Sequence, residues 1–93
     1  GNQMIKGIDK IEAGKSYACK FKTETMLDEL GRPPGLSDVP IKGVGTYEGF
    51  GVIMQRDSEQ KLVLIKDEAS KKEFVVKWAE CYDIDDVEWV DPL

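Results

Sequence analysis

Apolar and polar residues alternate along residues 16–25, and a period of two is typical of a strand with one buried face. Residues 61–67 contain a continuous apolar run, which indicates a strand that is covered on both faces. Residues 72–78 alternate again, so a third strand is expected there. The side chains that the two alternating strands should turn towards the core are Tyr17, Cys19, Phe21, Thr23, Phe74, Val76 and Trp78.

Residues 44–56 predict a strand of a different kind, because glycines interrupt its apolar residues at Gly45, Gly49 and Gly51. Glycine inside a strand marks a sharp bend, a bulge or the close approach of another backbone. A glycine-rich phosphate-binding loop is the competing interpretation, but no Gly-Lys-Ser/Thr triplet and no helical pattern follow. The segment therefore predicts a strongly bent strand, which closing a small barrel requires.

Three further segments have still to be assigned a secondary structure. Residues 2–12 place their apolar side chains on one helical stripe and so predict a short amphipathic helix that caps an open end of the sheet. Residues 26–43 break the strand pattern with Pro-Pro-Gly and predict a long loop, either functional or simply folded over the barrel end. One helical turn is expected at its start, from Met26, Leu27 and Leu30. A last strand is expected within residues 79–90, over either 80–84 or 87–90.

These elements predict a mainly all-β fold. We expect one domain over residues 2–91, built as a small, five-stranded, strongly bent antiparallel barrel with a short N-terminal helix. A chain of 93 residues leaves no room for a second domain.

The charge and composition of the chain limit the kinds of functional site that it can contain. Thirteen basic against eighteen acidic residues give a net charge of −5, so any nucleic-acid site must be local. The chain has no histidine and no nucleophile paired with a base, so we expect no enzyme activity, no catalytic residue and no cofactor. We expect no metal site either, and interpret the acidic cluster as a solvated face. This cluster consists of Asp83, Asp85, Asp86, Glu88 and Asp91.

Two cysteines, Cys19 and Cys81, lie 62 positions apart and outside any Cys-x-x-Cys pair. A disulfide is one interpretation, and two small buried thiols in a reducing compartment are the one we favour. No apolar run is long enough to span a membrane, and the N-terminus lacks the apolar core of a signal peptide. We therefore expect a cytoplasmic protein with no membrane partner.

Two short stretches resemble the motifs of the Sm-like family, which comprises the Sm, LSm and Hfq proteins. Gly51, Asp57, Lys61-Leu62-Val63-Leu64 and Asp67 follow the outline of its first motif. Val75-Val76-Lys77-Trp78-Ala79 is similar to the second motif in its Lys-His-Ala form, with Trp78 in the place of histidine. The resemblance covers about residues 2–84 and is that of a divergent member, for which a phage origin is suggested.

This resemblance implies a ring and an RNA site. Sm-like proteins form closed rings through strand pairing between neighbouring subunits, and many bind single-stranded RNA at loops near the pore. A small barrel with open edges also favours pairing with copies of itself, here in a ring of roughly five to seven subunits. The residues that would lie in the two pore loops are Arg56, Asp57, Glu59, Gln60 and Lys61 in one, and Lys77, Trp78 and Ala79 in the other.

The residues leave alternatives open at this site. Trp78 could stack on a base and Lys77 could meet a phosphate, but a tryptophan on an apolar strand can equally belong to the core or to a subunit contact. The family's base-reading stretch is replaced here by Glu59-Gln60-Lys61, which implies RNA binding less strongly than a ring. An SH3-like module for a protein partner with basic or proline-rich peptides, or a structural subunit of a larger assembly without RNA, is the alternative function.

Overall fold

The fold is known from a computed structural model, which describes residues 4–34 and 39–87. Within these ranges the chain forms six strands and two short 3-10 helices. The strands are β1 (Met4–Ile5), β2 (Ser16–Asp28), β3 (Ile41–Asp57), β4 (Leu62–Asp67), β5 (Glu73–Lys77) and β6 (Cys81–Val87). The 3-10 helices are Ile8–Lys10 and Trp78–Glu80.

All six strands belong to one antiparallel sheet in the order β1-β6-β2-β3-β4-β5. The sheet curls, so that the inner faces of β2, β4, β5 and β6 enclose one core. This confirms the expected small, strongly bent all-β fold. The core consists of Ile8, Tyr17, Cys19, Phe21, Val63, Ile65, Val76 and Ile84, with Tyr47, Phe74 and Trp78 packed against it.

The glycines of β3 allow the backbones to approach closely, as the sequence suggested. A Cβ atom at Gly51 would overlap the backbone carbonyl of Lys66 on β4, and one at Gly49 would overlap the ring of Phe21. A shift in register between Ile53 and Gln55 adds a bulge to the same strand. Close approach and bulging together let β3 pair with β2 along one half and with β4 along the other.

The predicted N-terminal helix over residues 2–12 is wrong for the described part of that segment. Residues 4–12 instead form β1 and one turn of 3-10 helix, while residues 2 and 3 lie outside the described ranges. Gly7, between the two elements, is fully extended and prevents a continuous helix. The apolar stripe is still used, because Ile8 is buried in the core and Ile5 and Ile11 pack against it.

The predicted long loop over residues 26–43 is also wrong in its extent. β2 continues to Asp28 and β3 begins at Ile41, so the connection is residues 29–40, of which 35–38 lie outside the described ranges. The expected helical turn is absent from the described part, because Met26 and Leu27 pair with Val44 and Gly43 as strand residues.

The predicted last strand is β6, over Cys81–Val87, which overlaps the alternative 80–84; most of the other alternative, 87–90, lies outside the described ranges. The predicted strand over residues 72–78 is β5, which ends one residue before Trp78. The sixth strand, β1, was not expected.

Candidate functional site: the β5 edge and the adjoining loops

β5 forms one outer edge of the sheet, and within residues 4–34 and 39–87 no strand pairs with its outer side. Val75 lies at the middle of this edge and is 62% exposed. Its Cα partner on β4 is Leu64, and Leu62 lies opposite Lys77. We call Leu62, Leu64 and Val75 the β4–β5 patch; both leucines are half-buried and line one open groove with Val75. The edge therefore offers unpaired backbone beside apolar side chains.

The sheet's other outer edge is partly covered from within the chain. β1 pairs with the outer side of β6, with Met4 opposite Asp85 and Ile5 opposite Ile84. Residues 81–83, at the start of β6, lie beyond this pairing. The expectation that the barrel leaves open edges therefore holds fully for β5 and only in part for β6.

The two loops that the resemblance brings together do meet in the structure. The backbone N–H of Trp78 donates to the carbonyl oxygen of Lys61 at 2.9 Å, and its Nε1–H donates to the carbonyl oxygen of Leu62 at 2.9 Å. The Nζ atom of Lys61 lies 4.6 Å from the centroid of the Trp78 ring, a cation–π contact. Trp78 also packs against the core, so its ring is held in place and is only partly exposed.

Asp57 and Gln60, two further residues of the predicted RNA site, hold their own turn together. Asp57 Oδ1 accepts hydrogen bonds from the backbone N–H groups of Glu59 and Gln60, each at 3.0 Å, and Asp57 Oδ2 accepts one from Gln60 Nε2 at 3.2 Å. Aspartate at the first position of a turn makes this type of bond. The carboxylate is therefore engaged in shaping the loop.

The remaining two residues of the predicted site point elsewhere. Arg56 donates from one guanidinium nitrogen to the carbonyl oxygens of Ile8 and Ile11, at 3.3 and 3.4 Å, and so ties β3 to the N-terminal segment. Lys77 lines a separate open groove between β5 and β2, together with Glu24 and Glu80. Of the six predicted residues, the structure thus brings Lys61 and Trp78 into direct contact.

A buried polar network at the β4–β5 turn was not recognised in the sequence. Asp67 is fully buried, and its Oδ2 accepts hydrogen bonds from Tyr47 Oη at 2.7 Å, Ser70 Oγ at 2.6 Å and the Ser70 backbone N–H at 3.0 Å. Burial, and then the Asp67 carboxylate, raise the pKa of Tyr47 above its usual range. The turn was expected at residues 67–71, but the contact with Tyr47 comes from the curl of the sheet.

Asp28 plays a similar part where β2 ends. Its Oδ1 accepts hydrogen bonds from the backbone N–H groups of Leu30 at 2.8 Å and Arg32 at 3.0 Å, and Arg32 Nε donates to Oδ2 at 3.3 Å. The N–H of Arg32 is the main cause that lowers the pKa of Asp28, although burial opposes it. Asp28 therefore fixes the start of the connection to β3 as a carboxylate.

No part of the chain that the structure describes brings three or more cysteine, aspartate or glutamate side chains together in a way that could hold a metal ion. In the acidic cluster, Asp83 forms an ion pair with Lys20 at 3.2 Å, and Glu88 and Asp91 lie outside the described ranges.

Among the described residues no helix is long and apolar enough to cross a membrane.

The fold and the β5 edge define a small all-β protein with a curled antiparallel sheet. Comparisons with protein-family models, curated proteins and solved structures find no match to this chain.

Proposed function

We propose that this protein acts by assembling with copies of itself through the β5 edge, as a ring-forming protein of the Sm-like kind. The observation that supports this most directly is the open edge of β5 with Val75 exposed at its middle. Charged side chains along an exposed edge strand usually prevent it from pairing with another chain. In β5 the charged residues are Glu73 and Lys77, at the two ends of the strand, and the three residues between them are apolar. A partner strand added to β5 would bury the β4–β5 patch and pair the free backbone groups.

Head-to-tail pairing of identical subunits needs a second, different edge, and it gives a closed ring of roughly five to seven subunits if the rotation between them allows. Residues 81–83, at the start of β6, are a segment of such an edge that no described strand pairs with on its outer side. A ladder over three residues is short, so burial of the β4–β5 patch must supply much of the free energy of association.

The test is the mass in solution, measured by light scattering at micromolar concentration for the unaltered protein and two variants. Val75→Glu places a charge on the β5 edge and should shift the protein to smaller species. Val52→Glu is the matched control, because Val52 is 42% exposed on β3 but is paired on both sides, with Ala18 on β2 and Lys66 on β4, and it should leave the mass unchanged. An unaltered protein that is purely monomeric would contradict the proposal.

Single-stranded RNA is a second candidate, favoured by the direct contact between Lys61 and Trp78 where the two loops meet. A base could stack on the exposed part of the Trp78 ring, with Lys61 near its phosphate; such stacking contributes roughly 1–3 kcal/mol. Asp57 and Glu59 in the adjoining turn oppose a phosphate, which is why assembly is our first proposal.

Binding of labelled U-rich and A-rich oligonucleotides at low salt tests this second function. Lys61→Gln should weaken binding several-fold, whereas Lys10→Gln, which removes an exposed lysine on the N-terminal 3-10 helix, should not. Absence of binding by the unaltered protein would reject RNA. A monomer that binds basic or proline-rich peptides instead would favour the SH3-like alternative. We propose a cytoplasmic location, because two cysteines in 93 residues are fewer than small secreted domains use for their disulfide frameworks.

A further inference from the structure

The two cysteines, far apart in the chain, are neighbours across β2 and β6. Cys81 is the Cα partner of Phe21, and Cys19 lies two residues before Phe21 on the same strand. Residues two apart in a strand point to the same side of the sheet, so Cys19 and Cys81 share its inner face. Cys19 belongs to the buried core, and Cys81 packs against that core while remaining partly exposed.

The pairing of β2 with β6 is irregular next to the two thiols. Ala18 pairs with Asp85 and Lys20 with Tyr82, so two steps along β2 match three steps along β6. The additional residue on β6 makes a bulge opposite Cys19, and Asp83 within it has a positive φ of 50°. The two thiols are near enough to shift each other's pKa, and Cys81 Sγ donates to the carbonyl oxygen of Lys77 at 3.5 Å.

The two thiols differ in their surroundings. The hydrogen bond with Cys81, and then burial, raise the pKa of Cys19. The hydrogen bond from Cys19 lowers the pKa of Cys81, against the effect of burial. The thiolate is the reactive form of cysteine. Because Cys81 has the lower pKa and is more exposed, it should react first, and Cys19 is the neighbouring thiol that could react with it next.

We propose that Cys19 and Cys81 form a site of reversible oxidation, in which a small-molecule disulfide converts the two thiols into an intrachain disulfide. The Cys81 thiolate attacks one sulfur of the reagent and releases the other as a thiol, leaving a mixed disulfide on Cys81. Cys19 then attacks the Cys81 sulfur, loses its proton and releases the second thiol. In sum, two protein thiols are oxidised and one reagent disulfide is reduced to two thiols.

The bridge would fix β6 to β2 beside the second 3-10 helix and close a loop of the chain between residues 19 and 81. Cross-linking residues so far apart restricts the unfolded chain, so the oxidised form should unfold at a higher temperature than the reduced form.

The experiment treats the native, reduced protein with oxidised glutathione and follows intact mass and free thiols. We expect the loss of two hydrogen atoms and of both thiols without an adduct, a peptide that joins Cys19 to Cys81, reversal by dithiothreitol, and a raised Tm. In Cys19→Ser, the mixed disulfide on Cys81 should persist, because no second thiol resolves it. In Cys81→Ser, the buried Cys19 should react much more slowly.

Three results would overturn the proposal. They are two thiols that stay free in the native protein under conditions in which a denatured sample oxidises, a glutathione adduct that persists on the unaltered protein, and disulfides that join separate chains instead of Cys19 and Cys81. The measurement on the unaltered protein decides the question even if a serine variant fails to fold. Because Cys81 also lies in the β6 segment proposed for assembly, the same measurement on Val75→Glu separates an effect of assembly on Cys81 from a failure of the oxidation proposal.

Discussion

Asp67 and Asp28 are buried carboxylates, and each holds a turn together through several hydrogen bonds from backbone and side chain. A charge removed from water is costly unless donors surround it, and both have them. Among described residues, every buried side-chain nitrogen or oxygen atom has a hydrogen-bond partner. These two residues therefore specify where the strands end and how the chain turns.

Asp67→Asn should lower the free energy of unfolding by about 1–3 kcal/mol, because the amide offers one oxygen where the carboxylate accepts bonds at both. Tyr47 Oη and Ser70 Oγ now donate to Oδ2, and the Phe50 N–H donates to Oδ1 at 3.3 Å. Urea unfolding measures the change. Glu68→Gln, which removes an exposed carboxylate one residue away, should have little effect. Equal stability of the two variants would show that the hydrogen bonds of the buried Asp67 carboxylate do not stabilise the fold.

The lowered pKa of Asp28 predicts a dependence of stability on pH. Because the folded state favours the carboxylate, Asp28 stabilises the fold above the ordinary pKa of aspartate, and this contribution is lost as the pH falls through the lower pKa of the folded state. The difference in unfolding free energy between the unaltered protein and Asp28→Asn should therefore be largest above about pH 5 and should shrink as the pH falls below the ordinary pKa of aspartate. Asp9→Asn, at an exposed carboxylate, is the control, and a difference that does not change with pH would contradict this prediction.

β3 is the element on which the shape of the sheet depends, since it pairs with β2 over most of its length and with β4 near its end. At Gly51 the backbone of β4 comes so close that a methyl group would overlap the Lys66 carbonyl. At Gly45, by contrast, a methyl group would meet the end of the Leu27 side chain, which can move. A side chain is therefore excluded by neighbouring backbone at Gly51, whereas at Gly45 a small side chain could be accommodated.

Gly51→Ala should destabilise the protein by about 1–3 kcal/mol or more, because the β3–β4 pairing must open to admit the methyl group. Gly45→Ala is the matched control and should change stability by less than about 0.5 kcal/mol. Both substitutions can be compared by thermal unfolding. A Gly51→Ala protein as stable as the control would show that the strands can separate at no cost.

At the scale of the whole molecule, the N-terminal segment completes the core. Ile8 is 2% exposed within the core, although it belongs to a 3-10 helix of only three residues. β1 pairs with β6 on one side of this helix, and Arg56 bonds to the carbonyl oxygens of Ile8 and Ile11. The segment is held by what it packs against, since so short a helix has little stability of its own.

Ile8→Ala should therefore lower the free energy of unfolding by about 2–5 kcal/mol, through lost burial and the cavity that remains. Met4→Ala is the control from the same segment, because Met4 is 64% exposed, and it should cost less than about 0.5 kcal/mol. Denaturant unfolding of both variants distinguishes them. Similar small effects would mean that the N-terminal segment is only loosely associated with the sheet.

The sequence by itself located the central parts of β2, β3, β4 and β5 and the inward faces of β2 and β5. Alternation along residues 16–25 and 72–78 identified side chains that lie on the inner face, namely Tyr17, Cys19, Phe21, Phe74 and Val76. The glycines of β3 indicated that a neighbouring backbone comes close to this strand. These features are local, because the direction of a side chain in a strand repeats every two residues whatever the strand pairs with.

Only the tertiary structure decided which partner each segment meets. The apolar stripe of residues 4–12 suits a helix equally well, and contact with β6 and the core selects a strand and a 3-10 turn instead. The extension of β2 to Asp28, the neighbours of Asp67, the placing of Cys19 and Cys81 on one face of neighbouring strands and the open edge at β5 likewise depend on residues distant in the chain. Hydrogen bonds and burial between distant segments outweigh weak local preferences, so the pattern of one segment cannot reveal them.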